Sequence, residues 1–69
     1  MEYEISVLWD SEANVWVASN DELPLTLESG SLDRLMEKVR YTALEMAECN
    51  HLPAPEYLRF RMDALEKVS

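Results

Sequence analysis

Tyr3, Ile5, Val7 and Trp9 alternate with Glu2, Glu4, Ser6 and Asp10, and only Leu8 breaks the period. Period two over this length predicts a half-buried strand. Ser11-Glu12-Ala13-Asn14 follows, and Asn14 is a residue that tolerates a left-handed turn conformation. Val15-Trp16-Val17-Ala18 is β-branched and aromatic, so the two runs read as a hairpin with a four-residue loop. Val15/Val17 and Trp16/Ala18 are both apolar sets, which leaves the buried face of the second strand open. Asn20-Asp21-Glu22-Leu23-Pro24 is turn chemistry, Leu25–Glu28 suits a short third strand, and Ser29-Gly30-Ser31 breaks the pattern.

The period then changes. Leu32, Leu35, Met36, Val39, Ala43, Met46 and Ala47 recur at three- and four-residue steps, the apolar face of an amphipathic helix running to about Cys49. Ser31 is its predicted N-cap and Asn50 its C-cap, with Pro53 and Pro55 preventing continuation. Alternation returns from Tyr57 to Ala64. Leu58, Phe60, Met62 and Ala64 form the set facing the helix, and Tyr57, Arg59, Arg61 and Asp63 the wet set. The order is β-β-β-α-β, an α+β fold. Three strands are antiparallel, and the helix supplies a right-handed crossover that returns the last strand to the sheet beside the first. One helix can cover only one face of such a sheet.

Sixty-nine residues make one domain, 1–69, with a thin core. A hydrophobic content of 48% fits a globular chain. A single cysteine, Cys49, allows no internal disulfide, so a reducing cytoplasm is the expected location and oligomerisation the expected support for a small core. No run of about 20 apolar residues suggests a membrane span, and Met1-Glu2-Tyr3-Glu4 lacks the basic start of a signal peptide. The formal net charge is −8, and its placement is uneven. Eight acids and no Lys or Arg precede Arg34, whereas six acids and six bases follow from there on. The first half therefore lacks the clustered cations that nucleic acid or an anionic membrane needs.

The run Val7-Leu8-Trp9-Asp10-Ser11-Glu12-Ala13-Asn14-Val15-Trp16-Val17-Ala18, then Asp21-Glu22-Leu23-Pro24, then Ser31-Leu32-Asp33-Arg34-Leu35, resembles the HicB-like superfamily. It is most similar to small stand-alone members without a DNA-binding domain. The likeness extends to the Leu58-Arg59-Phe60-Arg61 strand. It departs at Leu25, where the family usually has Gly, and at Ser31, where it usually has Thr. The resemblance implies a partial RNase H-like fold. It also implies an antitoxin-like role, in which the domain blocks a small basic mRNA-cleaving toxin of the HicA type. With the chain ending at Ser69, the operator-binding domain of larger relatives is not carried over.

Several constellations carry a chemical alternative. A two-metal nuclease site would draw on Asp10, Glu37, Glu45 and Asp63, but nothing in the sequence makes them converge, and a solvated acidic surface is the simpler reading. Cys49 and His51 lack the further ligands that zinc requires. Met36, Met46 and Met62 read as core filler, with a methionine-lined groove as the alternative. Of Trp9 and Trp16, one is expected against the helix and the other partly exposed, with an interface role open to either. Arg59 and Arg61 are expected to pair with Glu4 and Asp10 across a parallel strand pair.

The function expected is therefore non-enzymatic and cofactor-free: a protein-interaction domain inhibiting a small basic toxin. Its candidate contact residues are Asp10, Glu12, Trp16, Asp21, Glu22 and Glu28. Complementary charge would speed encounter and mask the toxin's phosphate-binding surface. The last strand, at Leu58, Arg59, Phe60 and Arg61, is the candidate edge of a homodimer. The alternative is a stand-alone small-ligand or regulatory binding module, using the face that the helix leaves open and a deep apolar pocket lined by Trp16 and Met62.

Overall fold

A computed structural model describes residues 2–63, with only the backbone of Asp63. The elements are β1 (Glu2–Asp10), β2 (Val15–Asn20), β3 (Leu25–Ser29), α1 (Leu32–Cys49) and β4 (Tyr57–Asp63). They form a four-stranded mixed sheet in the order β3-β2-β1-β4, with α1 on one face. β1 pairs antiparallel with β2 and parallel with β4, which lies beside it from Glu2↔Tyr57 to Leu8↔Asp63. The α+β class, the element order and the position of the last strand match the expectation from sequence. Ala64 lies outside the described residues.

Local chemistry accounts for the boundaries. Asn14 takes φ 55° and closes the hairpin, while the Asp10 carboxylate accepts the backbone N–H groups of Glu12 and Ala13 at 3.0 and 3.3 Å. Ser31 caps α1, its hydroxyl accepting the Arg34 N–H at 3.4 Å. The opposite end is a Schellman turn. The N–H of His51 donates to the Glu48 carbonyl and that of Leu52 to the Ala47 carbonyl, at 3.3 and 2.8 Å. Asn50 is the C-cap, as expected, and the left-handed residue that follows it is His51, with φ 54°. Leu25 needs no glycine conformation. Its N–H closes a tight turn on the Leu23 carbonyl at 2.6 Å, and its side chain enters the core.

The core lies between α1 and the sheet in two clusters. One holds Tyr3, Leu23, Leu25, Ala43 and Ala47, and the other Ile5, Val7, Ala18, Leu35 and Val39. Leu58 packs against both. Small residues at Ala43 and Ala47 let the helix approach the sheet closely. The register decides the face of β2. Val7↔Ala18 and Trp9↔Trp16 are direct pairs, so Trp16 and Ala18 share the inner side with Tyr3, Ile5 and Val7. Leu8 and Val17 pair on the other side, where each is half-buried without help from the helix.

One inner-face expectation is corrected. Met62 is 51% exposed and is not core filler. The α1 backbone runs closest to β3 and β2, and one helix about 10 Å across cannot span four strands spaced about 4.8 Å apart. The β4 side of the inner face is therefore left partly open. Met36 and Met46 are half-buried, and Met46 packs on the first core cluster.

Candidate functional site

The acids of β1 to β3 do not form one surface. Asp10 and Glu12 sit at the hairpin end of the sheet, and Glu28, paired with Val17, faces outward toward that end. Asp21 and Glu22 occupy the β2–β3 loop at the other end. The six residues of β2 separate the two groups by about 20 Å. Chain reversal at each hairpin sends consecutive turns to opposite ends, so acids close in sequence become distant in space. Trp16 belongs to neither group. It lies half-buried on the helix side, with its ring centroid 5.2 Å from that of Trp9 at an interplanar angle of 60°. Trp9 is the more exposed of the two at 36%.

The loop end is the more organised of the two. Asn20 donates through Nδ2 to the Glu4 carbonyl and accepts the Leu23 N–H on Oδ1, both at 2.6 Å. One amide thus ties the loop to β1 and fixes its turn, while Leu23 anchors it in the core. The exposed Asp21 and Glu22 are presented from a braced loop. With Glu4, Ser6, Ser19 and Asn20 they line a shallow polar recess of about 200 Å³. Asn20, Ser6 and Ser19 were not among the candidates from sequence. The available signal was the Asn-Asp-Glu run, since asparagine's amide commonly organises its own turn.

Every described Lys and Arg stands on α1 or β4, leaving β1, β2 and β3 without a cation. On the open face Arg59 meets Glu2 at 3.2 Å and Arg61 meets Glu4 at 3.7 Å. The expected pairing of these arginines holds for Glu4, which meets Arg61, and is corrected for Asp10, in whose place Glu2 meets Arg59. The parallel register places Glu2 and Glu4 within reach, whereas Asp10 lies beyond the last paired residue, Leu8, and its carboxylate is engaged in the hairpin turn. All four side chains of these pairs are more than half exposed, so they orient β4 more than they stabilise it.

Between α1 and β4, two adjoining cavities of about 400 and 350 Å³ form a trough. Its walls include Met36, Arg40 and Leu44 from the helix and Leu58 and Phe60 from the strand. Neither Trp16 nor Met62 lines it. Among the described residues no three His, Cys, Asp or Glu side chains come together in a way that could hold a metal ion. Asp10 is at a sheet end and Glu37 and Glu45 are exposed on the helix, so the arrangement brings together no carboxylate cluster from these three. The Cys49 thiol is exposed. No described helix is long and apolar enough to cross a membrane.

No curated protein matches the chain. Among solved structures it is similar to a hypothetical protein, TTHA1013, from the extremely thermophilic bacterium Thermus thermophilus. The two share 30% identity at a TM-score of 0.75, over 100% of this chain and 99% of that one. The four-stranded sheet with one covering helix is thus a fold shared across nearly the full length of both proteins. The family model described as a domain of unknown function, DUF1902, matches residues 2–68, and the chain belongs to that family.

Proposed function

We propose that this chain is a non-enzymatic, HicB-like protein-interaction domain that inhibits a small basic mRNA-cleaving toxin of the HicA type. The observation that carries the reading is the braced acidic loop. Asp21 and Glu22 are exposed, Asn20 holds their backbone to β1, and no cation stands on the three strands around them. A braced loop backbone loses little conformational freedom on binding, and its two exposed carboxylates complement a surface built for phosphates. The hairpin acids Asp10 and Glu12, with Glu28, form a second acidic end that steers a cationic partner without touching the same groups. The HicB resemblance supports the partner class.

The test is to look beside this gene for a reading frame encoding a small basic protein of the HicA type and to co-express the two; a neighbourhood without one counts against the proposal. Rescue of growth and a co-purified complex are expected, and both are lost in the double variant Asp21→Lys/Glu22→Lys. A wild-type chain that neither rescues growth nor binds the neighbour sinks the proposal.

The trough between α1 and β4 favours a second reading, a stand-alone module for a small ligand with an apolar body and an anionic head. Phe60 and Leu58 would take the body and Arg40 the head. Decanoate is a suitable probe. Saturable amide shifts confined to Met36, Arg40, Leu44 and Phe60, in a chain indifferent to the basic neighbour, would select this reading over the first.

A further inference from the structure

The two edges of the sheet differ in how they are protected. β3 is five residues long, follows Pro24, lies close to α1, and its Glu28 carbonyl accepts a hydrogen bond from Lys38 Nζ at 3.4 Å. β4 is seven residues long and pairs with β1 through seven consecutive residues without a bulge. It contains no proline or glycine, and no described strand lies beyond it. Natural edges are usually blunted by shortness, bulges, proline or inward charge. β4 has none of these four; the edge charges it does carry, Arg59 and Arg61, are paired with Glu2 and Glu4 of β1.

We propose that the outer edge of β4 pairs antiparallel with β4 of a second copy of this chain, joining two four-stranded sheets into one of eight. Three observations choose a second copy as the occupant. The first is charge. On this flank β4 and its neighbour β1 set Arg59 and Arg61 against Glu2 and Glu4, whereas Asp10, Glu12, Asp21, Glu22 and Glu28 stand on the hairpin end, the β2–β3 loop and β3. An identical copy carrying the same −8 can approach closely only through the balanced flank. In the joined sheet β2 and β3 lie more than about 10 Å from the axis, beyond effective Coulomb range at physiological salt.

The second is the state of the β4 cations. Arg59 and Arg61 are turned toward Glu2 and Glu4 on their own sheet, so an incoming copy meets ion pairs and not bare guanidinium groups. The third is self-complementarity. A two-fold axis at Phe60, the middle residue of β4, pairs the whole strand with itself. It sets Leu58 of one chain against Met62 of the other on the helix side, covering a methionine otherwise 51% exposed; on the open side it sets Arg59 opposite Arg61 of the second copy, a like-charge contact offset by the Glu2 and Glu4 carboxylates beside them. This assignment stands independently of the toxin-inhibitor reading, because it uses the opposite side of the sheet from β3 and its flanking loop.

The experiment is sedimentation equilibrium of the full chain from 5 to 500 µM (on the order of the range where edge pairing is resolved), joined to amide exchange by NMR. The wild type is expected to reach twice its 8.0 kDa chain mass. β4 amide exchange should slow at least about tenfold as concentration rises. Met62→Lys, at an exposed position that leaves the fold intact by circular dichroism, should weaken association at least about tenfold by setting an ammonium against Leu58. An 8.0 kDa species throughout that range overturns the proposal. So does a dimer unaffected by Met62→Lys whose concentration-dependent protection falls on β3.

Discussion

The Tyr3 hydroxyl donates a 2.8 Å hydrogen bond to the Pro53 carbonyl, joining the first strand to the segment between α1 and β4 across fifty residues of chain. Tyr3 is 1% exposed, so this phenol reaches out of the core to the linker that positions β4. Tyr3→Phe should therefore cost about 1 kcal/mol, with the ring still filling its site. In urea denaturation the midpoint should fall at unchanged m-value. An unaltered midpoint would show that the bond contributes nothing.

His51 occupies the left-handed position that ends α1, a site usually held by glycine. Relieving the Cβ clash outweighs the entropy that glycine loses, so His51→Gly should stabilise by about 0.5–1 kcal/mol. His51→Val should destabilise by about 1 kcal/mol or more, since a β-branched side chain tolerates this conformation least. Thermal unfolding reads both. For a domain of this size about 1 kcal/mol corresponds to roughly 4–8 °C. Equal melting temperatures for all three chains would contradict the assignment.

Asn20 serves the β2–β3 loop through both ends of its amide. Asn20→Ala leaves the half-buried Leu23 N–H without its acceptor, and should cost about 1–2 kcal/mol. Because the loss is local, the Leu23 amide should exchange faster by more than global destabilisation predicts. Asn20→Asp restores the acceptor but not the donor to the Glu4 carbonyl. An intermediate result is expected. If Asn20→Asp matches wild type, the bond to Glu4 carries no weight.

Trp9 and Trp16 face each other directly across the β1–β2 ladder in an edge-to-face arrangement. Trp16 packs against the second core cluster and Trp9 is more exposed, so Trp16→Ala should be the costlier change. A double-mutant cycle on the two should give a coupling of about 0.5–1.5 kcal/mol. Additive losses would mean that the rings touch without cooperating.

These four tests divide between what the pattern of residues made legible and what it did not. The alternation at Tyr3, Ile5, Val7 and Trp9, the three-and-four spacing from Leu32 to Ala47, the Ser31 cap and the left-handed Asn14 are local properties. Strand and helix periods and turn preferences act over a few residues, so the chain by itself determined its elements and their order. The charge asymmetry about Arg34 was equally legible, being composition alone.

Tertiary structure decided whatever depends on neighbours distant in sequence. The buried face of β2 came from its register with β1, which no intrinsic preference could choose between two apolar sets. Met62 lost its place in the core because α1 sits over β2 and β3, a matter of one helix's width against four strands. Asp10 turned inward to its own hairpin and left Glu2 and Glu4 to the arginines. The acids divided between two ends of the sheet because each hairpin reverses the chain. The hydrophobic and polar pattern thus determined which segments fold and how. The packing of those segments decided which side chains meet, because each meeting depends on the register and position of elements far apart in the sequence.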